Sequence, residues 1–178
     1  MRVLGLDPGS RRTGWGLVER SGNAFRCVEC GTLSPGAGLD LPRRLHFLAR
    51  EAGAILERFS PDAVVLEEAF YHQNVRSTLV LGHVRGALMV AAVERGIELA
   101  EYTPREVKLA VTGRGGAAKE QVAAMVRRIL GLESSPQADA ADALAGALCH
   151  LNRSRFAARG TGARPARAWE ALLARAAR

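Results

Sequence analysis

The chain has 178 residues and a mass of 19.0 kDa, the size of one domain with a full core. Hydrophobic residues make up 48% and charged residues 24%, which is too apolar for a disordered chain and ordinary for a globular one. The longest apolar run, Ala87 to Val93, is far below the ~20 residues of a membrane helix. The MRVLGLD start meets a charge at Asp7 without the apolar core of a leader. Secreted, fibrous and membrane-spanning proteins are therefore not expected. Three cysteines suggest no disulfide framework, which points to a reducing cytoplasm.

Charge is unevenly distributed. The net charge is +7, but residues 151–178 alone carry seven arginines and a single acid, Glu170, a net of +6. The body is nearly neutral and the tail strongly basic, a pattern that suits either a polyanionic partner or simple solubility. The expected division is a folded unit over 1–156 and a basic, flexible tail over 157–178, where Gly160, Gly162 and Pro165 cluster. Trp169, Leu172, Leu173 and Ala176 fall on one face of a short helical pattern within that tail.

Three predicted strands open the chain. Arg2–Leu6 stops at the turn signal Asp-Pro-Gly; Thr13–Arg20 and Ala24–Leu33 follow, separated by Ser21-Gly22-Asn23. Together they read as an antiparallel meander. After a loop at Ser34–Asp40, the helical spacing of Leu45, Leu48, Ala52, Ile55, Leu56 and Phe59 predicts a helix ended by Ser60-Pro61-Asp62. Ala63–Leu66 reads as a buried strand, Arg76–Arg95 as a long helix and Ile97–Tyr102 as another strand. Thr103-Pro104-Arg105-Glu106 has the form of a capping box. Further helices are predicted over Lys119–Leu130 and Gln137–Leu151, with the flexible GRGG loop at 113–116 before the first of them. The order β-β-β-α-β-α-β-α-α-α predicts an α/β domain, a mixed sheet with helices on its faces. The long helix is apolar all round from Ala87 to Val93, so either another helix or a second subunit must cover it.

Two acids end apolar strands: Asp7 after VLGL and Glu67 after AVVL. If those strands are parallel neighbours, their carboxylates meet at one sheet edge. Asp139 and Asp142 lie three apart near the start of the last helix, hence on one helical face, and packing of that helix on the sheet would turn them toward the same edge. Singly, each acid has an ordinary structural use as a turn cap, a helix-start residue or surface. Together, four carboxylates repel unless a cation joins them. An all-oxygen set selects Mg²⁺ or Mn²⁺, and two such ions suit hydrolysis of a phosphodiester.

The segments LGLDPGSRRTGWGLV, VVLEEAF, LGHVRGALMVAAV, REVKLAVTGRGGAAKEQV and PQADAADALAGAL together resemble the RuvC-type Holliday junction resolvases over about residues 1–151. The resemblance implies a ribonuclease-H-like fold, with a mixed five-stranded sheet covered by helices on both faces, and a homodimer. It further implies an endonuclease that uses two Mg²⁺ per subunit, or Mn²⁺ in their place. Paired symmetric nicks in four-way junction DNA would leave 5′-phosphate and 3′-hydroxyl ends, in recombination and repair. Asp7, Glu67, Asp139 and Asp142 match the family's catalytic, metal-holding acids. Lys108 and Lys119 match its basic residues needed for cleavage, and Phe70 an aromatic that stacks on bases. A junction-bound branch-migration complex of the RuvA and RuvB type is the implied partner.

The residues themselves support these assignments unequally. Phe70, three positions past Glu67, suits base stacking or closure of the sheet edge. Lys108 and Lys119 are the chain's only lysines and flank GRGG; they suit a phosphate, a developing oxyanion or plain solvation. Arg76 and Arg114 are candidate DNA contacts or solvated surface, and Tyr71, His72 and Gln73 form the most individual stretch beside a site residue. Cys27 and Cys30 sit three apart on a strand, which is expected to point them to opposite faces, so zinc is not expected. Cys149 and His150 are read as helix surface and core, and His46, His72 and His83 have no ligand spacing. Two other functions compete: a non-catalytic nucleic-acid-binding subunit using the basic tail, and an ATPase domain of the actin and Hsp70 type, suggested by Asp7-Pro8-Gly9-Ser10 with Thr13-Gly14.

Overall fold

Strand β1 (Arg2–Asp7) is the axis of the sheet. It pairs antiparallel with β2 (Thr13–Ser21) and parallel with β4 (Ala63–Glu67). Strand β3 (Ala24–Leu33) extends the sheet beyond β2 and β5 (Glu98–Tyr102) beyond β4, in the order β3-β2-β1-β4-β5. This computed structural model describes residues 1–68 and 74–160, with the backbone alone over 155–160. The helices are α1 (Leu41–Phe59), α2 (Val75–Val93), α3 (Pro104–Thr112), α4 (Lys119–Leu130) and α5 (Ala138–Gly160). All ten elements appear in the expected order; α5 runs nine residues past its expected end at Leu151, to Gly160.

Strand alternation sorts the core into two layers. Val3, Val18, Ala63 and Val65 face α3, α4 and α5, where Leu144, Leu148 and Leu151 are fully buried. Leu4, Leu17, Val64 and Leu66 face the opposite way, onto Leu48, Ala52 and Leu56 of α1 and Val84 and Leu88 of α2. Each such leucine contributes roughly 1.5–3 kcal/mol by leaving water. At α3 the expected capping box is present: Thr103 accepts from the Glu106 amide, and the Glu106 carboxylate accepts from the Thr103 amide.

Helix α2 resolves the question its composition raised. One side, through Val84, Leu88, Ala91 and Ala92, is buried on α1 and the sheet. On the other side Val75, Leu79, Val90 and Val93 are 49–60% exposed.

Two expectations fail. Cys27 and Cys30 do not point to opposite faces, because the β2–β3 register slips between Leu17, opposite Glu29, and Val18, opposite Cys27. Val28 is the extra residue of a bulge, which re-phases the strand. Both cysteines then pack against the α3–α5 layer, while Val28 packs on the other. Burial first, and the adjacent Cys30 thiol next, push Cys27 up to about 12. Cys149 and His150 are both buried rather than one surface and one core. His150 is held by Tyr102, whose hydroxyl lies 3.0 Å from Nδ1.

Candidate active site

Because β1 and β4 are parallel, with Leu6 opposite Leu66, the next residues, Asp7 and Glu67, emerge side by side at the carboxyl edge of the sheet. Alternation puts both on the α5 face, since Asp7 lies two residues past Gly5 and Glu67 two past Val65, which face α5. What brings α5 close enough is the absence of side chains beneath it. A Cβ on Gly5 would lie 1.8 Å from the Ala143 carbonyl oxygen. One on Gly14, the β2 partner of Asp7, would lie 2.0 Å from that of Asp139. The first turns of α5 therefore rest directly on strand backbone, and Asp139 and Asp142 arrive at Asp7.

The electrostatics record this convergence. Asp7 is pushed up to about 7, by burial first and then by the negative charges of Asp142, Glu67 and Asp139, against the pull of Lys119. Glu67 is also raised, by burial and then Asp142, against the pull of Lys119, Lys108 and Arg85. Lys108 on α3 and Lys119 at the start of α4 thus bear on the same carboxylate from either side of the GRGG turn. Lys119 Nζ lies 3.1 Å from Asp142 Oδ2, and Arg12 Nε 3.2 Å from Asp139 Oδ2. Among the described residues no three His, Cys, Asp or Glu side chains are closed on an ion-sized point. The two aspartates of α5 instead each hold a cationic side chain. The donor chemistry fits a hard divalent cation: carboxylate oxygens only, in a half-buried site where burial and unrelieved negative charge keep Asp7 partly protonated near neutrality.

The other expected site residues are dispersed. Arg76 is exposed and lines a neighbouring cleft. Arg114 is exposed on the GRGG loop, and its guanidinium makes no hydrogen bond or ion pair among the described residues. Phe70, Tyr71, His72 and Gln73 lie outside the described residues. Two arginines escaped sequence reasoning. Arg12 is indistinguishable in sequence from its neighbour Arg11. Arg85, 8% exposed, donates to the Glu67 carbonyl oxygen and to the Glu101 carboxylate; its signal was an arginine within an apolar helix.

A family model described as Crossover junction endodeoxyribonuclease RuvC matches residues 3–150. The chain belongs to the RuvC family. Its RuvC relatives include that of Syntrophomonas wolfei, 45% identical over 157 residues, 88% of this chain and 91% of the other. That of Pelobacter propionicus is 46% identical over 168 residues, 94% and 96% of the two chains. Among solved structures, Thermus thermophilus RuvC matches with a TM-score of 0.81 at 37% identity, covering 88% of this chain and 97% of the other. T. thermophilus RuvC in complex with its Holliday junction substrate matches at 0.84, also at 37% identity, over 88% and 96%. The yeast mitochondrial resolvase Ydc2, 14% identical over 84% of this chain and 78% of its own with a TM-score of 0.59, shares the fold. The expected ribonuclease-H-like fold is thereby established. RuvC membership makes the chain a nuclease that depends on divalent metal, and it removes the actin- and Hsp70-type alternative. No described helix is long and apolar enough to cross a membrane.

Proposed function

We propose that this RuvC protein resolves four-way DNA junctions as a homodimer, cutting two opposed strands symmetrically to leave 5′-phosphate and 3′-hydroxyl ends. The observation that carries the reading is the gathering of Asp7, Glu67, Asp139 and Asp142, from two strand ends and one helix, into a site whose burial and like charges push Asp7 up to about 7. These four carboxylates would hold two Mg²⁺, or Mn²⁺ in their place. Such ions supply an activated water and charge neutralisation at the phosphodiester.

The chain's own groups do the rest. Asp7 and Glu67, fixed by the sheet, set the position of the scissile phosphate. Lys119 is paired with Asp142 and 78% exposed at its side chain, so it is free to swing to a phosphate oxygen when the carboxylate takes a metal. Lys108 adds a second positive charge beside Glu67. Phe70, Arg76 and Arg114 are assigned to the DNA, Phe70 as a base-stacking aromatic. The exposed side of α2 is the surface for the second subunit, and two symmetric cuts need two symmetric sites. A cytoplasmic setting and a RuvA- and RuvB-type branch-migration partner follow from the same reading, with 157–178, of which the first four residues complete α5, as a basic tail beyond the nuclease unit.

The test is incubation with synthetic four-way, three-way and linear DNA, with and without Mg²⁺. Paired nicks confined to the four-way substrate and dependent on metal are expected. Asp7→Asn should bind the junction and not cut it. Undiminished cutting by that variant, or equal cutting of linear DNA, would overturn the reading.

A further inference from the structure

A second constellation lies outside the acid site. A cleft of about 790 Å³ opens between the loop after β1 and the first turns of α1 and α2. Its polar wall is Ser10, Arg11, Arg44, Asn74, Arg76 and Ser77, above an apolar floor, and among the described residues no acid lines it. The three arginines have not been neutralised from within. Arg2, Arg12, Arg26, Arg58, Arg85 and Arg95 each sit on a carboxylate, but Arg11, Arg44 and Arg76 have no ion pair among the described residues. Arg44 is half-buried and oriented: Nη1 donates to Ser10 Oγ at 3.4 Å, and its buried Nε has no acceptor among the described residues. Holding unpaired guanidinium groups together costs free energy through mutual repulsion, which an anion in the cleft would relieve.

The placement identifies the anion. Ser10 is three residues past Asp7, so the cleft begins no more than about 11 Å of chain from the acid site. Asn74, on the other wall, follows Glu67 by seven residues. Both walls continue the two strands that end in catalytic carboxylates. We infer that Arg44, with Arg11 and Ser10, forms a clamp for a backbone phosphodiester of the DNA strand whose neighbouring phosphate occupies the acid site. The planar guanidinium matches two phosphate oxygens at once, and the apolar floor accommodates the adjoining deoxyribose. The clamp rests on the junction-cutting reading and adds a binding determinant to it, one that fixes the strand in register and reads no sequence.

The experiment measures junction affinity without metal across a salt series, alongside cleavage in Mg²⁺, for the full-length protein and for Arg44→Gln, Arg44→Lys and Arg11→Gln. Arg44→Gln is expected to weaken binding roughly tenfold and to lower the slope of log affinity against log salt by about one. Its loss in kcat/KM should be carried by KM. Arg44→Lys should keep the slope and recover part of the affinity. Arg11→Gln removes an exposed side chain, so its fold is secure; it should lower the slope by about one on its own. Unchanged affinity and slope in both glutamine variants would overturn the clamp while the wild type still cuts. A change in melting temperature with an unchanged slope would overturn it equally, since that is the mark of a purely structural arginine. Failure of the wild type to cut the junction would instead overturn the function proposed above.

Discussion

Arg85, buried within α2, donates to the backbone carbonyl of Glu67 and, with its other arm, to the carboxylate of Glu101 on β5. One guanidinium thereby ties α2 to the carboxyl ends of β4 and β5, at the residue proposed above as a catalytic acid. Arg85→Gln leaves the Glu67 carbonyl short of a donor and Glu101 short of its charge. The expected cost is about 2–3 kcal/mol of stability, measured by urea unfolding. Cleavage should fall as well, because Glu67 loses its backbone anchor. In the double variant Arg85→Gln/Glu101→Gln, stability should drop by less than the two single losses combined. Strict additivity would mean that the pair is not coupled.

Gly14 is the contact through which β2 admits α5. A methyl group there would lie 2.0 Å from the Asp139 carbonyl oxygen, a backbone atom that no rotamer change can move aside. Gly14→Ala should cost about 1–3 kcal/mol and abolish cutting by lifting Asp139 and Asp142 off Asp7. Gly36→Ala, where nothing lies within 4 Å of the added group, is the control and should behave as wild type. A Gly14→Ala protein with normal cleavage would contradict the direct seating of the helix.

Asp7 gives the metal-free protein a pH dependence of known sign. Its value is 3.8 ordinarily and about 7 in the fold. Between those limits the folded protein holds a proton that the unfolded chain has released. The stability this confers is full below about pH 4 and is lost as pH rises through 7. In chelator, the melting temperature of Asp7→Asn relative to wild type should therefore climb from pH 4 to pH 8. Divalent metal at pH 8 should raise the wild type more than the variant. Parallel curves for the two proteins would show that neither burial nor neighbouring negative charge raises Asp7.

Val90 lies on the uncovered side of α2 and is 57% exposed. The aspartate in Val90→Asp meets water in the single subunit, so folding should survive, while an apolar contact with a second copy should not. Light scattering should show monomers with unchanged circular dichroism. Leu88→Asp, at a fully buried position of the same helix, should unfold. A Val90→Asp dimer of wild-type affinity would place the partner surface elsewhere.

Apolar periodicity, with turn and capping signals, determined the order of the ten elements, since all of these are local properties of the chain. The strand-end positions of Asp7 and Glu67 and the shared helical face of Asp139 and Asp142 were legible for the same reason. The bulge at Val28 was not, because it depends on how β2 twists against β3, and it reversed the expectation for Cys27 and Cys30. Arg12 and Arg11 are neighbours of one type, yet one pairs with Asp139 and the other lines the basic cleft. Only the direction in which the loop after β1 leaves the sheet separates them. Arg85 could be noticed in sequence and not explained, since its acceptors lie sixteen and eighteen residues away on other elements. The sequence by itself determined which groups carry charge and which faces are apolar. Tertiary structure decided which charges meet, because a carboxylate's neighbours are set by strand register and helix seating, and neither is a property of any local stretch of chain.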